Sequence, residues 1–279
     1  MPVLERKMMT TVPTSFDFDQ KALRPDYVVK CSYGNDSIAL LQFLHEYNLK
    51  HPLGKVVVLY NDTGWAANWW PARVANGEAL SAGFGFVTAR TQSIGMREVL
   101  KRRNLWPRRT MQFCTEELKV EPTLSWLRMH DPEGIAETVL GVRREESAAR
   151  LAWPEYVPSS DKNEGRAEWS PLVFHTTEMR DALIRRAGWE PLPHRSRECR
   201  CVNAGSQDIL KFTPEDIDEI EAIEKSMTCW GDNRFMFSPR KKKGRPEGIR
   251  AVVEWAKQVK PKEATLEVGS GCDSGYCTA

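Results

Sequence analysis

Two groups of residues in this 279-residue chain have the types and spacing that do chemistry. The first is Ser32-Tyr33-Gly34-Asn35-Asp36-Ser37, which follows the apolar run Tyr27 to Cys31 and precedes apolar residues at helical spacing. Two hydroxyls, a glycine and a helix N-terminus suit an anion, because the first helix amides lack intrahelical partners and glycine permits close approach. Asp36 can cap that helix or help hold a cation such as Mg2+ beside phosphates. The turn has neither the lysine of the Walker loop nor the three glycines of a dinucleotide fingerprint. Taken alone, a phosphate cradle and a well-capped crossover turn both remain open.

The second group is the seven cysteines: Cys31, Cys114, Cys199, Cys201, Cys229, Cys272 and Cys277. An odd count in a chain without a signal-peptide core argues against a disulfide framework. Cys199-Arg200-Cys201 and Cys272 to Cys277 form two close pairs, and four thiolates can hold an iron–sulfur cluster or zinc. A thiol on a small-residue tail also suits nucleophilic attack, and ordinary surface thiols are the plain alternative. Cys229 is a third candidate ligand or a packed residue. His45, His51, His130, His175 and His194 have no metal-ligand spacing and read as structural or surface residues.

These residues need elements to position them. Tyr27 to Cys31 reads as a buried strand and Asp36 to Tyr47 as an amphipathic helix. Lys55 to Tyr60 is a strand apolar on both faces, ended by Asn61-Asp62-Thr63-Gly64. A helix is expected from about Trp65 to Ala82, a strand over Phe84 to Ala89 and a helix over Ser93 to Arg103. Cys114 to Leu127 enters a helix that tolerates Pro122 in its first turn. Glu137 to Leu140 is a further strand, and Ala148 to Trp169 reads as a mobile loop, rich in Pro, Ser and charge. Helices follow over Thr177 to Ala187, from Thr213-Pro214-Glu215-Asp216, and over Gly248 to Gln258. Alternating strands and helices predict an α/β fold, a parallel twisted sheet with helices on both faces, plus a C-terminal helical, Cys-containing extension. The expected divisions are an arm over 1–26, an α/β domain over 27–190 and the extension over 191–279.

In such a sheet, ligands bind beyond the carboxyl ends of the strands. Ser32 to Ser37, Asn61 to Gly64, Gln92-Ser93 and Gly141 to Arg143 all fall there. The composition is that of a globular protein, 41% hydrophobic and 28% charged, with a formal net charge of +2. No apolar run is long enough to span a bilayer, so a cytoplasmic protein with no membrane partner is expected. The basic run Arg240 to Arg245 reads as a solvated loop or as a contact for a phosphate-rich partner.

The ordered motifs carry a resemblance. Ser32 to Ser37 resembles the PP-loop, Ser-Gly-Gly-x-Asp-Ser, of the adenine nucleotide α-hydrolase-like superfamily, with Tyr33 in place of the first glycine. Tyr60 to Trp65, Phe113 to Pro122, Gly141 to Arg150 and Trp169 to Leu172 resemble segments of its phosphoadenylyl-sulfate (PAPS) reductase branch. The likeness covers roughly 28–172. It implies a Rossmann-like fold and nucleotide binding by Ser32, Tyr33, Gly34, Asn35, Asp36, Ser37, Asp62, Thr63, Gly64, Lys119 and Arg143. It also implies catalytic roles for Asp36, Lys119, Arg143 and Cys277, with Glu145, Glu146 and Arg150 bracing the loop. Tyr33 is expected either to narrow the pocket for a particular nucleotide or to mark a loop that is losing the ancestral chemistry.

The same branch includes members with a [4Fe–4S] cluster, implying Cys199, Cys201, Cys272 and Cys277 as ligands, with Cys114 as an alternative ligand and zinc as an alternative metal. The tail signature Glu-Cys-Gly-(Leu/Ile)-His of PAPS reductases is absent around Cys277. The expectation is therefore ATP-dependent activation by adenylylation, with pyrophosphate release, coupled to sulfur transfer or nucleic-acid modification. The alternatives are PAPS reduction releasing sulfite, or a non-catalytic nucleotide- or nucleic-acid-binding module. Expected partners are ATP or PAPS, a nucleic-acid acceptor or sulfur-donor protein, and a second copy of the chain. Trp65 is a candidate to stack on a base, and Trp69 is expected in the core.

Overall fold

The computed structural model describes residues 24–108, 111–193, 198–237, 239 and 244–259. Six strands form one sheet in the order β3-β2-β1-β4-β6-β5. They are β1 (Tyr27–Lys30), β2 (Val56–Asp62), β3 (Val87–Gln92), β4 (Glu137–Val139), β5 (Tyr156–Val157) and β6 (Glu168–Trp169). All pairings are parallel except that of β5 with β6. The chain runs outward from β1 to β3 and then returns to place β4 on the other side of β1. The strand order therefore reverses between β1 and β4, the place where an open parallel sheet forms a crevice.

Side chains alternate across the sheet, so each strand feeds two cores. Val29, Val58, Tyr60 and Val139 pack with α1 (Asn35–Asn48), α2 (Trp70–Gly83) and α6 (Thr177–Arg186) on one face. Val28, Val57 and Leu59 pack on the other face with α5 (Glu121–His130). A third core joins Trp65, Trp106 and α3 (Met96–Arg103) to α7 (Ser206–Ile209), α8 (Pro214–Ser226) and α9 (Ile249–Gln258). Thr213 caps α8 in a capping box with Asp216, and Pro214 takes the first helical position. Among the described residues no helix is long and apolar enough to cross a membrane.

Several expectations shift. The first half of α1 is buried on every side because α6 covers it, so it is less amphipathic than its sequence suggests. α2 begins at Trp70 rather than Trp65, since residues 65–67 are held in extended pairing with the segment at 198–200. β3 lies three residues later than expected, at Val87–Gln92, because Phe84 to Phe86 turn back onto the end of α2. Residues 148–169 are ordered rather than a mobile loop. Lys30 donates to Asn163, Asn163 to Glu168 at 2.5 Å, Arg166 to Asp131 at 2.7 Å and Arg150 to Glu146. Three of the charges that suggest a solvated loop in sequence, Arg150, Arg166 and Glu168, are here buried and hydrogen-bonded, while Glu155, Asp161, Lys162 and Glu164 stay exposed. Residues 1–23 of the expected arm, residues 240–243 of the basic run, Cys272, Cys277 and His194 lie outside the described residues.

Candidate functional site

The loop after β1 is shaped by its own side chains. Ser37 Oγ accepts from the Ser32 amide at 3.1 Å, and the Gly34 amide donates to Ser32 Oγ at 3.3 Å. Gly34 is the N-cap of α1, and the Ile38 amide closes the first turn onto its carbonyl at 2.9 Å. The loop thus presents the start of a 14-residue helix at the β1/β4 crevice. Asn35 fixes it laterally, because its amide donates to and accepts from the Leu192 backbone, both at 2.9 Å.

Tyr33 does not narrow this crevice. Its backbone is left-handed, with φ of 58°, the conformation glycine adopts most readily. Its ring is fully buried, 5.9 Å from the Tyr60 ring centroid, on the face covered by α2. Gly77 of α2 makes the room: a Cβ there would sit 2.2 Å from Tyr33 Cδ1. Arg73, one turn earlier, donates to the Tyr33 carbonyl at 2.6 Å while its guanidinium lies over Trp70 and Trp189. The loop keeps the course a glycine would give it, and the ring serves packing.

Asp36 and Arg143, expected to face phosphate, meet each other. Arg143 Nε donates to Asp36 Oδ1 at 2.5 Å, with both side chains almost wholly buried. Arg143 also contacts Glu145 at 3.1 Å and the His175 carbonyl at 3.4 Å, and its amide donates to Glu146. Burial raises the Glu146 carboxyl above its ordinary range, and the charge of Asp36 adds to this. Burial, with Arg143 nearby, lowers the His175 imidazole. Glu146 and Arg150 pair behind this segment. Gly141 lets β4 approach, since a Cβ there would lie 3.2 Å from the Asp36 carbonyl oxygen. The second Asp36 oxygen is buried without a protein partner, which fits one carboxylate ligand to a Mg2+ otherwise held by phosphates and water.

The β2 side supplies the remaining groups. Asp62 Oδ1 accepts from the Gly64 amide at 2.9 Å, and Thr63 is fully buried. Asn61 ties this end to its neighbours, accepting from Thr91 and donating to Thr123. Lys119 lies in a π-helical turn, Glu116–Val120, between the short α4 (Phe113–Thr115) and α5. Five-residue bonding in that turn lets the helix pass Pro122 and turns Lys119 inward to 9% exposure. Its Nζ sits 3.2 Å from Glu198 Oε2, and Glu198 Oε1 accepts from Tyr60 at 2.9 Å. Burial and the Glu198 charge drive the Tyr60 hydroxyl pKa upward.

Glu198 was not visible as a site residue; its only signal is that it precedes Cys199. The segment it begins is docked at the β2 end. Ala67 N donates to the Glu198 carbonyl at 2.8 Å, Cys199 bridges Ala66, and Cys199 Sγ is 3.5 Å from Thr63 Oγ1. Arg200 covers the Trp65 ring at 3.7 Å and receives the indole N–H on its carbonyl. Trp65 is therefore core and does not offer a stacking face, whereas Trp69 is 43% exposed and Trp70 takes the core position. Of the four expected cluster ligands, Cys199 and Cys201 are described, and Cys114 packs in the same third core as Cys199. Among the described residues no three His, Cys, Asp or Glu side chains gather as a metal site.

A family model for the phosphoadenosine phosphosulfate reductase domain matches residues 26–202. An "uncharacterized 37.8 kDa protein in gpa 5'region" of Escherichia phage 186 is 27% identical over 175 residues, covering 54% of this chain and 52% of that protein. The match thus spans about half the length of that curated relative. Among solved structures, PAPS reductase from Candida auris in its phosphate complex has a TM-score of 0.44 at 16% identity, over 60% of this chain and 75% of that one. The U34-tRNA thiolase NcsA from Methanococcus maripaludis, with its [4Fe-4S] cluster, has a TM-score of 0.45 at 10% identity, over 85% and 73%. These two structural likenesses are too distant to assign a reaction. The family match is different in kind: it runs from the residue before β1 through the docked Cys199 segment and so contains the whole strand-end site. On that match the chain belongs to the phosphoadenosine phosphosulfate reductase domain family.

Proposed function

We propose that the chain binds an adenine nucleotide, ATP or PAPS, with its phosphates at the N-terminus of α1 and its adenosine toward the ends of β2 and β3. The observation that carries this is the loop at the strand-order reversal, held open by Ser32, Ser37 and Asn35 with the Tyr33 ring turned away. Helix amides and the ammonium of Lys119 then answer the phosphate charge. Asp36 and Arg143 hold the loop against the end of β4, and the free oxygen of Asp36 is available to Mg2+. With ATP bound, the acceptor attacks the α-phosphorus and is adenylylated while pyrophosphate leaves, in the service of sulfur transfer or nucleic-acid modification. The docking of Cys199 beside Thr63 supports a sulfur-handling role, because it brings a thiol to the nucleotide edge.

Family membership favours a second reading, reduction of PAPS to sulfite with Cys277 as the attacking thiolate. Calorimetric titration of the full chain with Mg–ATP and with PAPS tests the first statement, and binding of neither removes it. Thioredoxin-dependent sulfite release that is lost in Cys277→Ser selects the second reading. Pyrophosphate release that depends on an added acceptor selects the first.

A further inference from the structure

We propose that the groove between α2 and the chain after α6 binds single-stranded nucleic acid, with a base stacked on Trp69 and a phosphate at Arg73. As the place of an acceptor it rests on the nucleotide reading above; as a binding site it stands by itself. Gly188 follows α6 in the left-handed region, with φ of 77°, and the reversed chain lays Trp189 against α2. One stripe of α2 faces it. Trp69, the N-cap, is followed by Arg73, Asn76 and Leu80 at helical spacing, a row about 16 Å long. Trp189 and Leu192 stand on the opposite wall, and the groove between has a volume of about 620 Å³.

Each group in the row matches a part of a nucleotide. Trp69 meets Trp70 edge to face at 4.9 Å and stays 43% exposed. An open indole stacks on any unpaired base, because every base has a π-face. The Arg73 guanidinium lies over the Trp189 ring, 4.8 Å from its centroid. Its Nε is engaged by the Tyr33 carbonyl, and its Nη2 is buried with no hydrogen-bond partner. Glu190 lines the groove, yet no carboxylate pairs with Arg73 among the described residues. A guanidinium held by one carbonyl and two rings still has donors to give a phosphate. Asn76 is exposed and carries both a donor and an acceptor for a base edge. Ring, cation, amide and aliphatic side chain alternate along the row, whereas a docked amphipathic helix needs an unbroken apolar stripe. Both walls are tied to the strand-end loop, Arg73 through the Tyr33 carbonyl and the Leu192 amide through Asn35. A strand lying in the groove is therefore held beside that loop.

The test is fluorescence anisotropy of the full chain with a fluorescein-labelled, mixed-sequence single-stranded oligonucleotide, as RNA and as DNA. The same oligonucleotides carrying 5-bromouracil are crosslinked by ultraviolet light and the attached peptides mapped by mass spectrometry. The groove predicts that at least one strand type binds and that its crosslinks fall within 69–80 and 188–192. Trp69→Ala is expected to weaken binding about tenfold, and Trp69→Phe to keep most of it. The phenylalanine retains a ring against Trp70 and so separates lost stacking from lost folding. Crosslinks elsewhere, an affinity unmoved by Trp69→Ala, or no binding of either strand type overturns the proposal. Tighter binding of the annealed duplex also overturns it. So does tighter binding of an acidic, tyrosine-containing peptide, which gives the groove to a protein partner. Calorimetry with Mg–ATP and with PAPS keeps the two readings apart. Groove binding without nucleotide binding supports the site and removes the nucleotide reading; nucleotide binding without oligonucleotide binding does the reverse.

Discussion

Gly77→Ala is the sharpest test of how Tyr33 is accommodated. In an ordinary helix interior this change stabilises by about 1 kcal/mol. Here the new methyl would stand 2.2 Å from Tyr33 Cδ1 and under 3 Å from two more ring atoms. The ring is fully buried, so it has no open space to swing into. Forced repacking of a filled core costs about 1–3 kcal/mol, and this contact belongs at the upper end. The net expectation is a loss of about 2 kcal/mol, or roughly 4–8 °C in melting temperature. Tyr33→Gly alone loses a buried aromatic, about 3–5 kcal/mol, less about 1 kcal/mol for relief of the left-handed backbone. In that background Gly77→Ala meets no ring and regains its helix preference of about 1 kcal/mol. The two changes therefore carry a coupling energy of about 3 kcal/mol in a double-mutant cycle read by urea unfolding. A Gly77→Ala protein as stable as the wild type, with coupling under about 0.5 kcal/mol, would show that the ring does not lie on Gly77 and would return Tyr33 to the crevice.

Three further outcomes follow from the buried charges and thiols. Arg143→Met leaves Asp36 buried without its cation and is expected to cost about 3–5 kcal/mol, part of it recovered when Asp36→Asn is added; equal losses in the single and double variants would contradict the pair. Burial lowers the Lys30 ammonium from its ordinary range to about 7, so the unfolded chain binds the extra proton between about pH 7 and the ordinary lysine value. Stability should therefore rise across that interval by up to about 1.4 kcal/mol per pH unit, and Lys30→Met should lack this component in unfolding titrations. Burial pushes the Cys31 thiol up to about 12, so iodoacetamide at pH 8 should leave Cys31 unlabelled until urea unfolds the chain. Labelling of Cys31 in the folded protein would place it at the surface.

Much of the site was legible from residue order because it depends on local rules. An apolar β-branched run followed by small polar residues and a helical pattern specifies strand, turn and crossover whatever surrounds them. Repeating that unit specifies a parallel sheet whose loops gather at one end. The sequence by itself therefore determined the α/β class, the loop at Ser32 to Ser37, and the return of Asn61 to Gly64 and Gly141 to Arg143 to the same edge. Tertiary structure alone decided how charges and rings were spent within that frame. The partner of Arg143 is Asp36, 107 residues away, and Lys119 meets Glu198, 79 residues away, pairings no local pattern encodes. Residues 148–169 look solvated because their charges are counted singly, yet Arg150 and Arg166 are buried against Glu146 and Asp131, which lie outside that stretch. Tyr33 looks like a bulky intrusion in a phosphate loop until Gly77, on a different helix, is seen to vacate the volume its ring fills. Type and spacing determine which edge of the sheet carries polar groups, whereas the low-dielectric contacts that give each group its work exist only after the distant elements have packed.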